Sequence, residues 1–411
     1  MTVAAPDSAV PSPPPSAPGD RSRRSLLRDV SLPALVTGFV TVLVGYSGTA
    51  AVVFEAARAL GADDAQVASW MWALGVGAGV LGITLSWWYR RPVVPAWSTP
   101  GAALFVTGVA GVTLAQAVGA FMVAGALVAI VGFSGLFARV MDRVPVALGA
   151  ALLAGVLLRF GLQAFASAAA DPWLVIAMFA TWLAMRRVAA RWAVIATLGV
   201  GIAVAAFAGT LHTDALTLQF ATPVWVTPAA SWTALLGIAL PLFVVTMASQ
   251  NIPGVAAIRA AGYDTPISAP VGWTGAMTVA LAPFGGYMFN LAAITAAICM
   301  GREAHPDPAR RYVAAMSAGV VYLLLGIGGA TVGALFIAFP RPLVAAIAGL
   351  ALLGTIGNGL ATALRDDTTR EPALITFLVT ASGVTLAGLG SAFWGLVAGV
   401  VALGAATWGR R

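Results

Sequence analysis

The sequence predicts an all-α polytopic membrane protein. Its fourteen segments form two sets of seven, the second set inverted, with segments 3 and 10 reduced to half-helices. Three observations carry this. First, 60% of the 411 residues are hydrophobic and only 9% are charged, with a mean hydropathy of +0.93. A soluble domain carries about 25% charged residues because its surface must be polar. A cytosolic enzyme, a nucleic-acid-binding protein and a disordered chain are therefore excluded. Second, apolar runs of membrane-crossing length follow one another from residue 30 almost to the end. Third, the two halves of the chain echo each other.

The first element is a tail, residues 1–28, rich in Pro and Ser (Pro11, Pro13, Pro14, Pro15, Pro18) and then basic (Arg21, Arg23, Arg24, Arg28). It has too little apolar content to bury a core and is expected to be disordered in the cytoplasm. Its basic cluster comes late and the following run is long, which is unlike a signal peptide. The apolar runs are 32–57, 66–88, 96–109, 115–138, 145–167, 172–187, 192–209, 232–258, 267–283, 290–300, 310–338, 342–364, 372–385 and 391–408. A crossing needs about 20 apolar residues, so 96–109 and 290–300 are too short to cross alone. The longest connection, 210–231, is expected outside the cell.

The basic balance, +7 with a pI near 10.5, would suggest nucleic acid in a soluble chain. Here the bases sit between apolar runs and are topology signals. With a cytoplasmic N-terminus, nineteen of the 22 bases, all of them Arg, fall on the cytoplasmic side. They are the four in the tail and Arg90, Arg91, Arg139, Arg143, Arg186, Arg187, Arg191, Arg259, Arg302, Arg310, Arg311, Arg365, Arg370, Arg410 and Arg411. Arg58 and Arg341 fall outside, and Arg159 lies within a run. Both termini are therefore expected in the cytoplasm. One cysteine, Cys299, excludes an intrachain disulfide, and His212 and His305 fall in polar connections as solvated residues. No metal or other cofactor is expected.

The repeat shows in Ala120–Gly125 with Gly132, which matches Ala314–Gly319 with Gly326 at an offset of 194. Gly48–Ala51 likewise matches Gly254–Ala257, and Ala102-Ala103 matches Ala292-Ala293. An odd number of spans per copy inverts the second. Inverted repeats with short, interrupted helices mark secondary transporters, so 29–411 is read as a transporter domain.

The interrupted segments carry the polar interest. Pro92, Pro95 and the Pro100-Gly101 pair preclude a continuous helix, and an extended stretch should lead into a half-helix from Thr99 or Pro100. Pro283, Gly285 and Gly286 do the same before a half-helix from about Asn290. Two such N-termini facing each other, each with unpaired N–H groups and about half a positive charge, make a site for a small anion. Ser98, Thr99, Gly101 and Asn290 belong to that site. Gln250 and Asn251 are two adjacent amides in an apolar run; they either line a substrate cavity or bond neighbouring helices. Tyr46 either stacks on an aromatic ligand or packs, and Phe289 is expected to lie against the ligand's ring. Glu55 is a proton-coupling candidate, or it pairs with Arg58 one turn on. Arg159 is a counter-charge for an anionic substrate, or it snorkels to the interface. HExxH, GxSxG and paired intramembrane aspartates are absent, so an enzyme is not expected.

Seven stretches resemble the BenE family of benzoate/proton symporters. They are Leu35–Tyr46 (LVTGFVTVLVGY), Ala96–Leu104 (AWSTPGAAL), Ala154–Leu162 (AGVLLRFGL), Gln250–Gly254 (QNIPG), Ala282–Met300 (APFGGYMFNLAAITAAICM), His305–Tyr312 (HPDPARRY) and Ser391–Gly399 (SAFWGLVAG). The resemblance covers about residues 30–408. It implies a bacterial inner-membrane carrier that imports benzoate with protons. More distantly the chain is similar to nucleobase and sulfate carriers. Their fold implies a core domain (30–140 and 231–339) working against a gate domain (141–230 and 340–408), with the ligand between segments 3 and 10. Gate domains of such carriers can dimerise. Nucleobase carriers place glutamates where this chain has Gln250 and Asn290, and amides suit an anionic carboxylate better. Either Glu55 or the substrate itself would then carry the proton. A carrier of another small anion or a nucleobase, and a passive anion channel, remain the alternatives.

Overall fold

The structure is a computed structural model that describes residues 26–108, 111–211, 220–337, 339–384, 386 and 391–408. Most of the tail, His212 and the middle of the 210–231 connection lie outside the described residues. The described chain is helical apart from two short strands.

Helices stand where the apolar runs place them. α1 is Leu32–Ala59 and α2 is Asp64–Tyr89. β1 (Pro95–Trp97) leads into α3 (Thr99–Gly108), and α4 is Leu114–Phe133. α5 (Val146–Ala166), α6 (Pro172–Val188) and α7 (Ala193–Phe207) follow. The second half runs through α8 (Trp232–Ala260), α9 (Ser268–Leu281), β2 (Phe289–Leu291), α10 (Ile294–Met300) and α11 (Tyr312–Ile337). It ends with α12 (Arg341–Ala363), α13 (Arg370–Ala381) and α14 (Ser391–Trp408). Among the described residues, six helices are long and apolar enough to cross a membrane by length and composition, including α2, α4, α8 and α12.

Local chemistry sets the helix ends. Asp63 with Gln66, and Thr113 with Gln116, close capping boxes at the starts of α2 and α4. Asp171 caps α6 ahead of Pro172, and Ser231 caps α8. α8 contains two π-helical stretches, Leu235–Ala239 and Met247–Asn251, which end two residues before Pro241 and Pro253 respectively. A proline has no N–H for the carbonyl four residues back. The wider turn is one way the helix absorbs that loss.

Helix packing follows a pattern. α2 packs on α11 and α4 on α9; α1 contacts α3 and α8 contacts α10; α5 packs on α13 and α6 on α12; α6 pairs with α7 and α13 with α14. Shifting every helix number by seven maps each of these pairs onto another. The repeat glycines sit at the crossings. A methyl group added at Gly326 would meet the Trp72 carbonyl at 2.9 Å, and one at Gly125 would meet the Gly275 carbonyl at 3.0 Å. Lipid offers no hydrophobic drive between helices, so close backbone approach through small residues supplies the packing energy.

β1 and β2 pair antiparallel, with Pro95 opposite Leu291, Ala96 opposite Asn290 and Trp97 opposite Phe289. The ladder extends through Ser98 N–H to the Met288 carbonyl (3.0 Å) and Ala292 N–H to the Val94 carbonyl (2.9 Å). Extended backbone in apolar surroundings must satisfy its own polar groups, and here the two broken segments satisfy each other. α3 and α10 therefore leave the ribbon from opposite ends. The second half-helix begins at Ile294 rather than about Asn290, because Asn290 is held in the strand.

Candidate functional site

A cavity of about 640 Å³ lies against the ribbon. Its walls come from α1 (Gly45, Thr49), the ribbon and the start of α3 (Trp97, Thr99, Pro100), α5 (Arg159, Phe160, Gln163), α8 (Ser249, Gln250, Pro253), the lead into α10 (Ala292 to Thr295), and Tyr322, Thr380 and Ser391. The size falls in the usual range for small-molecule sites, about 300–1,000 Å³.

Arg159 is the only charged residue lining this cavity among the described residues, and it is exposed with no hydrogen-bond or ion-pair partner there. Gln250, half-buried, also has no hydrogen-bond partner among them. The hydroxyls of Thr295 and Thr380, both on lining residues, are buried without a partner. A buried polar group left unpaired costs free energy unless a ligand or water satisfies it. One face is aromatic. Trp97 donates its Nε1–H to Thr49 Oγ1 (3.1 Å) and stands edge-on to Tyr322 at 5.6 Å between centroids. A guanidinium, an amide, hydroxyls and ring edges together suit a small aromatic anion.

The expected site residues divide. Thr99, Gln250 and Arg159 line the cavity. Tyr46, Ser98, Gly101, Asn251, Phe289 and Asn290 stand behind the lining and hold it in place. Ser98 Oγ accepts from Gly101 N–H (3.2 Å) and from Thr246 Oγ1 (2.8 Å), joining α3 to α8. The Ser98 carbonyl accepts from Tyr287 Oη at 3.0 Å. Asn251 Oδ1 accepts from Leu291 N–H at 2.9 Å. The fully buried Asn290 amide reaches Ser98 N–H (3.0 Å) and the Leu291 carbonyl (3.2 Å). Phe289 packs onto α2 at Gly77, and Tyr46 lies edge-on to Trp97 with ring centroids 6.3 Å apart.

Glu55 is exposed near the end of α1 and lines neither this cavity nor a second one beside Arg186, Arg302 and Arg311. It does not pair with Arg58, which bonds Asp64 instead. His305 is half-buried rather than solvated, with Nδ1 accepting the Asp307 N–H at 3.0 Å. Thr295, Thr380 and Tyr322 were not legible as site residues, because hydroxyls within apolar helices give no sequence signal of what they face.

Residues 28–404 match the family model BenE, benzoate membrane transport protein. The chain is 50% identical over 369 residues to "Inner membrane protein YdcO" of Escherichia coli (strain K12), covering 90% of this chain and 94% of that protein. It is 38% identical over 379 residues to the "Benzoate membrane transport protein" of Acinetobacter baylyi (strain ATCC 33305 / BD413 / ADP1), covering 92% and 96%. Among solved structures it aligns with the transmembrane domain of the cyanobacterial bicarbonate transporter BicA (TM-score 0.46, 14% identity, 90% of this chain and 97% of that one). It also aligns with SLC26A9 (TM-score 0.45, 12% identity, 93% and 67%). With its partnered ribbon, its apolar helices and a family match over nearly all of its length, the chain belongs to the BenE family of benzoate membrane transport proteins.

Proposed function

We propose that this chain imports benzoate, or a closely related aromatic carboxylate, together with protons across the bacterial inner membrane. The observation that carries the anionic substrate is Arg159. A guanidinium that is the only charged group lining the cavity among the described residues attracts an anion and repels a cation. The substrate carboxylate meets Arg159 and the Thr99 end of α3, Gln250 fixes its orientation, and the ring lies against Trp97, Phe160 and Tyr322. No prosthetic group is needed, because binding and movement suffice.

Transport proceeds by alternating access. The core (30–140 and 231–339) carries the ribbon and moves against the gate (141–230 and 340–408). The permuted helix pairs support fourteen spans in two inverted sets of seven, and the arginine distribution supports cytoplasmic termini. The test is uptake of radiolabelled benzoate by proteoliposomes under an imposed pH gradient. Concentrative uptake that an uncoupler collapses, and that salicylate but neither uracil nor sulfate competes, is the expected result. Uptake that only equilibrates would indicate a channel, and competition by uracil or sulfate would indicate another substrate.

A further inference from the structure

A second cavity of about 520 Å³ lies at the Arg-rich end of the same helices. α5, α8 and α10 line both cavities. Val156, Pro253 and Thr295 face the first, and Leu153, Ala257 and Ala297 face the second. At about 1.5 Å of rise per residue, the partition between the cavities is about one helical turn thick. Ala256, between Pro253 and Ala257, is buried within that layer.

Glu303 is the only carboxylate lining either cavity among the described residues. It follows α10, and so belongs with the ribbon. Yet it reaches across to α12: its Oε1 lies 3.8 Å from the point where a Gly354 side chain would begin, and Arg186 Nη1 of α6 lies 3.9 Å from the same point. Glu303 has no hydrogen-bond or ion-pair partner among the described residues. The charged groups around it are few. Arg186 stacks on Trp182, and Arg302 is exposed beside it in the chain. Arg311 is committed to the carbonyls of Met300, His305 and Pro306. His305 holds the Asp307 N–H. Among the described residues, α5, α8 and α12 bring only uncharged side chains to this cavity, with Asn358 the polar one.

We propose that Glu303 is the proton-binding group of this carrier. Its carboxylate stands near the Arg186 guanidinium of α6; one proton, entering from outside with the substrate, binds a carboxylate oxygen, cancels that attraction and frees α10 to move against α6 and α12. The proton leaves to water in the second cavity, restoring the anion opposite Arg186. No covalent bond of the protein changes. This inference rests on the proposed symport, and its test separates the two.

The test uses the full chain in proteoliposomes, comparing wild type with Glu303→Gln and Glu303→Asp. Two quantities are measured: benzoate exchange at equal pH, and benzoate accumulation under a pH gradient. Glu303→Gln is expected to exchange within about twofold of wild type while its accumulation ratio falls to unity, and Glu303→Asp to recover part of the accumulation. Accumulation by Glu303→Gln at the wild-type ratio would overturn the assignment. So would loss of exchange in both variants, which would make the carboxylate structural. A wild type that exchanges no benzoate would strike the symport reading instead.

Discussion

The amide oxygen of Asn251 accepts the Leu291 N–H at 2.9 Å, and the Leu291 carbonyl would lie 2.6 Å from any side-chain carbon added at Gly254. One strand residue is thus bonded at its N–H and closely approached at its carbonyl by a single motif of α8. Gln250, next to Asn251, turns to the cavity instead. The π-helical stretch ending at Asn251 widens the turn that bears both amides.

Replacing these neighbours should give opposite outcomes. Asn251→Leu leaves the Leu291 N–H buried and unpaired, a loss of about 1–3 kcal/mol. The melting temperature in detergent should fall. Gln250→Leu should leave that temperature within error and raise the KM for benzoate uptake.

Arg159→Gln should raise the KM for benzoate about tenfold or more, with Arg159→Lys intermediate, since a point charge replaces a planar fork. Folded yield should not change, because Arg159 bonds no other described residue. A KM unchanged at matched protein levels would remove it from the site.

Asn290→Asp should reduce uptake mainly by lowering folded yield. The amide nitrogen donates to the Leu291 carbonyl, and a carboxylate there is buried facing another acceptor, which is costly. The yield of monodisperse protein by size-exclusion chromatography measures this directly.

Gly132→Leu should block folding, because a side chain there meets the backbone of Gly272. Gly199→Leu, where nothing lies within 4 Å, should fold normally. Paired expression trials with fluorescence-detected chromatography would show the contrast.

Much of this architecture is legible in the chain itself. Capping residues such as Asp63 and Thr113, the prolines around Trp97 and the glycines after Leu281 mark where helices start and break. Gly125 and Gly326 announce close packing but not with which helix, since a small residue specifies distance and not a partner. That the two extended stretches pair with each other was not readable, because neither Ala96 nor Asn290 carries a pairing code. The half-helix start shifted from Asn290 to Ile294 for that reason. The cavity was legible through Gln250, Thr99 and Arg159, whose polarity is out of place in an apolar run. Asn251, equally polar, turned inward to bond the strand.

The ribbon also bears on how the protein is made. Ala96 emerges from the ribosome long before Asn290, yet each strand supplies the hydrogen bonds the other lacks. Until Leu291 has been synthesised, the stretch from Pro95 to Trp97 has no matching edge and cannot settle in a dry interior. The first half must wait, shielded by water or by the insertion machinery, so a truncation that ends before β2 should be degraded rather than assembled.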